Sequence, residues 1–500
     1  MPYTNPVIPG FHPDPSVCRV GADYYLVTSS FEYYPGVPIF HSRDLFNWRQ
    51  IGYCLTRESQ LPLHGARSSG GIFAPTIRYH QGRFYMATTN ITVRKHLVVH
   101  AEDPEGPWSE PVWLDMDGID PSLLFDDDGK VYFSSTGPGG ICQSELDVER
   151  GTWIGEKRFL WAGTGGSYPE APHLYRLGDT YYLLLAEGGT EYGHMVTIAR
   201  SNTPWGPFEP CPHNPILSHR SKSLEIRCTG HGDLIQDHRG DWWIVFLATR
   251  PVGYPPCYHL GRETFLAPVA WDQAGWPVVN EGRPVEPEMR VTTLPPHPWK
   301  TAPAKDDFDA HALGMCWNFL RTPHPVDWSL TARPGHLRLV GSAVTLDQED
   351  SPAFVGRRQQ HFSFSASAGL DFDPQGENEE AGLTVLMNHR HHYEVFVARQ
   401  GDERRVRVRR RIGSLVSIVA DVPAPAGGLA LSISADSTTY AFAVEDGSGN
   451  RQQLATGETR YLSTEVAGGF TGVYIGMYAT GNGTRAAAPA DFDWFEYTHS

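Results

Sequence analysis

Five stretches of the chain repeat one theme, a glycine followed by bulky strand formers: Gly21-Ala22-Asp23-Tyr24-Tyr25, Gly82-Arg83-Phe84-Tyr85, Gly129-Lys130-Val131-Tyr132-Phe133, Gly178-Asp179-Thr180-Tyr181-Tyr182 and Gly240-Asp241-Trp242-Trp243. A second landmark lies seven to nine residues before each glycine: Asp14-Pro15-Ser16, Ala74-Pro75, Asp120-Pro121-Ser122, Glu170-Ala171-Pro172-His173 and His231-Gly232-Asp233. Short strands repeating at such a period predict the blades of a propeller. If each landmark opens the innermost strand of its blade, all five converge on the axis, and three carboxylates share a pocket with a histidine.

Other sequence features agree with an all-β chain. Forty per cent hydrophobic residues, 12% aromatics, 51 Gly and 40 Pro describe a turn-rich globular protein. At 500 residues it should hold at least two domains. Residues 1–300 carry the repeats and read as a five-bladed propeller. Between the inner strands, runs ending in Trp48, Trp108 and Phe208 read as turns followed by an aromatic that fills the space between blades. The proline-rich run from Arg283 to Pro303 reads as a linker or packed strap. Residues 301–500 turn to period-two segments and read as a β-sandwich of jelly-roll type.

The formal net charge of −16 disfavours nucleic acid and anionic membranes as partners. Seven scattered cysteines without a C-x-x-C pair read as free thiols. With no signal-peptide pattern at the start, the expected location is cytoplasmic.

Cleaving a glycosidic bond needs two carboxyl groups in opposite protonation states. A third negative group nearby can keep the acid protonated. Asp14, Asp120 and Glu170, on three different repeats, supply that set.

The segment Asn5-Pro6-Val7-Ile8-Pro9-Gly10-Phe11-His12-Pro13-Asp14-Pro15-Ser16 resembles the opening of glycoside hydrolase family 43. Gly118-Ile119-Asp120-Pro121-Ser122, Glu170 to Tyr175, Ala186 to Thr190, Thr229 to Leu234 and Leu260 to Thr264 also resemble its motifs, in the family's order. The C-terminal part looks like the sandwich of its β-xylosidase and α-L-arabinofuranosidase members. The resemblance implies an inverting hydrolase that releases terminal xylose or arabinose from small oligosaccharides. It implies Asp14 as general base, Glu170 as general acid, and Asp120 as the residue that raises the pKa of Glu170 and binds sugar hydroxyls. Arg262 matches the family's pocket arginine, and Thr190 a position near the same sugar. Phe31 and Phe73 match its apolar walls. Phe470, in Gly468-Gly469-Phe470-Thr471-Gly472, is the candidate for a sandwich residue that closes the pocket mouth; alternatively it opens the following strand. His231 matches the axial histidine, with a structural role and calcium ligation both open; otherwise no cofactor is implied. A homodimer or tetramer is expected. Two departures stand out: Ala171 where glycine is common, and Phe73 where many xylosidases carry Trp. An endo-arabinanase and a non-catalytic sugar-binding propeller are the alternative readings.

Three further features are set aside. Glu403 to Arg411 alternates Val and Arg as a strand with one solvated face. Asp126-Asp127-Asp128-Gly129 reads as a hairpin turn. His389, His391 and His392 read as a polar turn.

Overall fold

The computed structural model describes residues 2–115, 117–290 and 293–499. Five four-stranded antiparallel sheets follow one another along the chain, each in simple meander order. Their first strands are Ser16–Val20, Thr76–His80, Ser122–Phe125, Glu170–Leu177 and Arg227–Gln236. Each first strand touches the next, and the fifth touches the first, so the sheets close into a five-bladed ring. The repeated glycines sit in the turns between first and second strands. Gly21, Gly82, Gly129, Gly178 and Gly240 all have φ between 63° and 100°, a region open to glycine at little cost. The aromatics after them run into the second strands and pack between blades.

Closure is tied at the ends of the propeller chain. Pro2–Thr4 pairs with Glu288–Arg290, and the Asn5 side chain donates to the Leu266 carbonyl in the fifth blade. The proline-rich run is a packed strap: the His297 amide donates to Asp44, the Trp299 indole donates to the Asn47 carbonyl, and Arg49 lies 4.1 Å over the Trp299 ring.

Side chains two residues apart on a strand point to the same side. The landmark positions therefore stack along the axis, and the layer below them is a polar hub to which every blade contributes. Asp233, from the fifth blade, accepts from Ser16 at 2.7 Å, Arg78 at 2.8 Å and Tyr175 at 2.6 Å. Arg78 also donates to His173 Nδ1 at 2.9 Å, and the Ser122 hydroxyl lies 3.1 Å from the same nitrogen. Burial pushes His173 down to about 3, so the ring is neutral and free to accept. The charges of this hub balance: one guanidinium, one carboxylate.

The second half folds into two stacked sheets. One has Trp328–Ser329, Leu337–Val340, Pro489–His499, Phe364–Asp371, Leu429–Ala435, Thr439–Glu445 and Arg451–Glu458 in spatial order. The other has Ala353–Arg358, Tyr474–Thr480, Glu380–Asn388, His391–Gln400, Glu403–Ile412 and Leu415–Pro423. Inward residues such as Leu383, Val395, Val406, Leu431 and Phe442 fill the space between them. The outer face of the second sheet is itself covered by the propeller. Phe354, Phe396 and Tyr474 pack with Phe11, Phe31 and Tyr33, and the Tyr33 and Tyr474 rings stack 3.7 Å apart. Phe319–Leu320 even adds a strand to Tyr33–Tyr34 of the propeller.

The histidine tract departs from the expected polar turn. His391 and His392 begin the strand His391–Gln400, and His392 is 1% exposed. Asp347 and Glu394 lie within 3.3 Å of it and lift its pKa to about 9 against the opposing effect of burial. A short sequence cannot disclose such partners. The Val/Arg segment is a strand with Val406 and Val408 inward, and Asp126 to Gly129 forms a turn in which Asp126 also holds Arg176.

Candidate active site

Corners in the left-handed backbone region lie just before the first strands or at irregular points inside them. Asp14, Asp120, Ala171 and His231 have φ of 57°, 56°, 52° and 47°. Such corners are strained for residues with a Cβ, and a cluster of them marks a place where geometry has been fixed at a cost. The corners turn the side chains inward at one end of the axis. Asp14, Phe31, Phe73, Asp120, Glu170, Thr190, His231, Arg262 and Phe470 line one pocket there of about 70 Å³. This brings together every residue singled out for the site. Much larger hollows lie elsewhere, one beneath the strap and one at the sandwich edge near Trp494, and neither contains any of these residues.

Asp14 is the most firmly held of the three acids. Arg262 donates to its Oδ1 at 2.9 Å, Ser29 to its Oδ2 at 2.5 Å, and His231 Nδ1 stands 3.6 Å away. Burial alone would raise its pKa, but Arg262, then His231 and Ser29, hold it below the ordinary carboxylate range. Arg262 does not pair with its sequence neighbour Glu263, which is taken by Arg250 at 2.7 Å. Its guanidinium instead spans Asp14, the Thr190 hydroxyl at 2.9 Å and the Phe470 carbonyl at 3.4 Å.

Glu170 and Asp120 behave oppositely. Burial, then the charge of Asp14, pushes Glu170 up to about 7. Burial, then Glu170 and Asp14, pushes Asp120 well above the usual range, against the Ala171 amide that donates to it at 3.3 Å. The sequence reading made Asp120 the cause of the high pKa of Glu170. In the structure burial and the charge of Asp14 raise Glu170, and Glu170 in turn raises Asp120. Two carboxyls this close titrate as a pair and retain a proton between them near neutrality.

Aromatic rings wall the pocket on one side. Phe31 lies 5.2 Å from Phe73 and 6.1 Å from Phe470, and Arg262 stands 5.7 Å from both the Phe31 and Phe470 centroids. Phe470 does not open a strand. It sits in the loop after the short helix Thr464–Ala467 and before Tyr474–Thr480, with Gly468 and Gly469 at φ of 71° and 85°. It is the one site residue from the sandwich.

His231, Glu170 and Asp120 each offer one ligand atom, all within 4.8 Å of one another. Two carboxylate oxygens and an imidazole nitrogen supply only part of a calcium shell, which takes six to eight oxygens, water among them. The hub layer below is already neutralised by Arg78. Sequence reasoning missed His194. Its Nδ1 donates to the Cys228 carbonyl at 3.1 Å, and it is one of the groups that lower the pKa of Asp14. It also missed Ser29, although that serine lies near the aromatic strand in the same first repeat.

The chain is similar to known proteins along its whole length. The sequence profile of glycosyl hydrolases family 43 matches residues 3–277, and that of a beta xylosidase C-terminal concanavalin A-like domain matches residues 305–498. The chain is 46% identical to a non-reducing end alpha-L-arabinofuranosidase of Bacteroides ovatus, covering 99% of this chain and 94% of the relative. It is 41% identical to a xylosidase/arabinosidase of Butyrivibrio fibrisolvens over 98% of each. A crystal structure of a xylan beta-1,4-xylosidase from Bacillus halodurans superposes with a TM-score of 0.95 at 35% identity, covering 99% of this chain and all of that one.

Proposed function

Because the chain belongs to glycosyl hydrolases family 43, we propose that it removes single xylose or arabinose units from the non-reducing ends of oligosaccharides, inverting the anomeric carbon. The observation that carries this reading is the split among three acids facing one small pocket: Asp14 is held ionised while the Asp120–Glu170 pair holds a proton.

In this reading the terminal sugar lies against Phe31, Phe73 and Phe470, with its hydroxyls toward Asp120 and Arg262. Water sits beside Asp14, on the face of the ring opposite the leaving oxygen. Its oxygen bonds to the anomeric carbon while Asp14 takes one of its protons. The bond from carbon to the leaving oxygen breaks, and Glu170 gives that oxygen its proton. Arg262 keeps Asp14 ionised until the water's proton arrives. Proton exchange with solvent then restores both carboxyls. No cofactor takes part. The closed aromatic wall supports release from chain ends over cleavage within a chain.

The test is hydrolysis of 4-nitrophenyl β-D-xylopyranoside and 4-nitrophenyl α-L-arabinofuranoside, with the anomer released followed by NMR. We expect one or both to be cleaved, with first-formed sugar of inverted configuration. Absence of cleavage of either, or retention, would overturn the proposal.

A further inference from the structure

Phe470 reaches the pocket from the other domain, so something must hold it there. The wall-bearing loop is fixed at two places. On one side Glu465 accepts from the Tyr258 amide at 3.0 Å and from the Tyr192 hydroxyl at 3.0 Å, and the Val473 amide donates to the His259 carbonyl at 3.0 Å. These contacts anchor the base of the loop to the fourth and fifth blades. On the other side Ser69 meets the tip, which Arg262 also reaches through the Phe470 carbonyl at 3.4 Å. The Phe470 amide donates to the Ser69 hydroxyl at 2.8 Å. A Cβ placed on Gly469 would stand 2.5 Å from that same oxygen, so only glycine lets the loop approach so closely.

Ser69 is itself held rigidly. It is buried, with φ of 58°. Its amide donates to Glu32 Oε1 at 3.0 Å, and Glu32 follows the wall residue Phe31 in the chain. The neighbouring Ser68 is gripped by the sandwich: its amide donates to Glu349 at 2.7 Å and its hydroxyl lies 2.9 Å from His389 Nδ1. Thus Ser69 joins the Phe31 wall to the Phe470 wall across the domain boundary.

We propose that Ser69 is the positioning residue for the Phe470 backbone, and that this contact, beside that of Arg262 with the Phe470 carbonyl, holds the wall that confines the pocket to a terminal sugar. The proposal rests on the exo-acting reading above. A wall that touches the sugar ring alike before and during reaction governs binding more than turnover. Loosening it should therefore weaken substrate binding and admit sugars that continue past the wall.

The experiment compares wild type, Ser69→Ala, Gly469→Ala and the double variant on whichever nitrophenyl glycoside the wild type cleaves, and on xylotetraose or a linear arabino-oligosaccharide. For Ser69→Ala we expect KM to rise about three- to ten-fold, as for one lost hydrogen bond, with kcat within about two-fold. Disaccharide should appear beside monosaccharide among the products. Gly469→Ala should act in the same direction, through strain at a φ of 85° and through its clash with the Ser69 oxygen, and the second part should vanish once Ser69 is alanine. Wild-type kinetics in Ser69→Ala, a fall confined to kcat, or equal effects of Gly469→Ala in both backgrounds would each overturn the proposal. A wild type inactive on both glycosides would instead defeat the functional reading beneath it.

Discussion

The reaction pocket and the polar hub are neighbouring layers of the same five strands, yet their electrostatics are opposite. Asp14 and Ser16, Asp120 and Ser122, and His231 and Asp233 are pairs two residues apart, one member in each layer. In the hub one carboxylate meets one guanidinium, and serine, tyrosine and histidine complete its hydrogen bonds. Asp233 is accordingly driven far below its usual pKa by Arg78, against burial. In the pocket three carboxyls meet one guanidinium, and two of them are left holding a proton. The balanced layer closes the ring. The unbalanced layer stores a proton where a leaving group can receive it. Reactivity here comes from a deliberate shortage of positive charge.

The sharpest way to break this comparison is to remove an acid from each layer. Asp14→Asn should lower kcat on the cleaved nitrophenyl glycoside by about 10²–10⁴-fold. Glu170→Gln should do the same for alkyl glycosides but less for nitrophenyl ones, whose leaving oxygen needs little protonation. Equal losses on both leaving groups would contradict Glu170 as the acid. Asp233→Asn should act on stability, because it strands a largely buried guanidinium; about 3 kcal/mol should be lost in urea unfolding. Glu170→Gln, which relieves repulsion, should leave stability equal or slightly higher. If Asp233→Asn unfolds like wild type, the hub is not the ring's clamp.

Next in size is the pH profile. Glu170 must be protonated, so wild-type activity should fall as pH rises through about 7. Asp14 must be ionised, so activity should persist below the ordinary carboxylate range on the acid side. Arg262 lowers the pKa of both groups. Arg262→Met should therefore move both limbs to higher pH, and initial rates across pH would show it. An unmoved profile would mean that Arg262 serves substrate binding alone.

The smallest effect concerns the corner at Ala171. With φ of 52° its methyl is strained where glycine would not be. Ala171→Gly should gain at most about 1 kcal/mol in urea unfolding, part of it offset by the freer unfolded chain. A loss of stability would show that the corner tolerates the methyl without strain.

The ring was legible in the sequence because each blade repeats its own turn signal. A glycine with an aromatic two or three residues later is a local cue, and five copies of it set a period. The acids were legible because they sit seven to nine residues before that cue. What stayed hidden depends on contacts distant in sequence. Arg78 and Asp233 are 155 positions apart, and Ser69 and Phe470 are 401 apart. Nothing in the neighbourhood of Ser69 announces a partner in the other domain. His392 misled for the same reason: its partner Asp347 lies far upstream, so a buried ionic strand position looked like a wet turn. The causes of the high pKa of Glu170 also follow from burial, which spacing alone cannot supply.

Tyr33 stacks on Tyr474 beside the Phe31 wall, and an added strand crosses at the same point. The hydrolytic half is therefore not a module that can be lifted out. Cut free near the strap, it would carry a raw aromatic face where its companion had been and a reaction chamber missing a side, so such a fragment should clump before it could work.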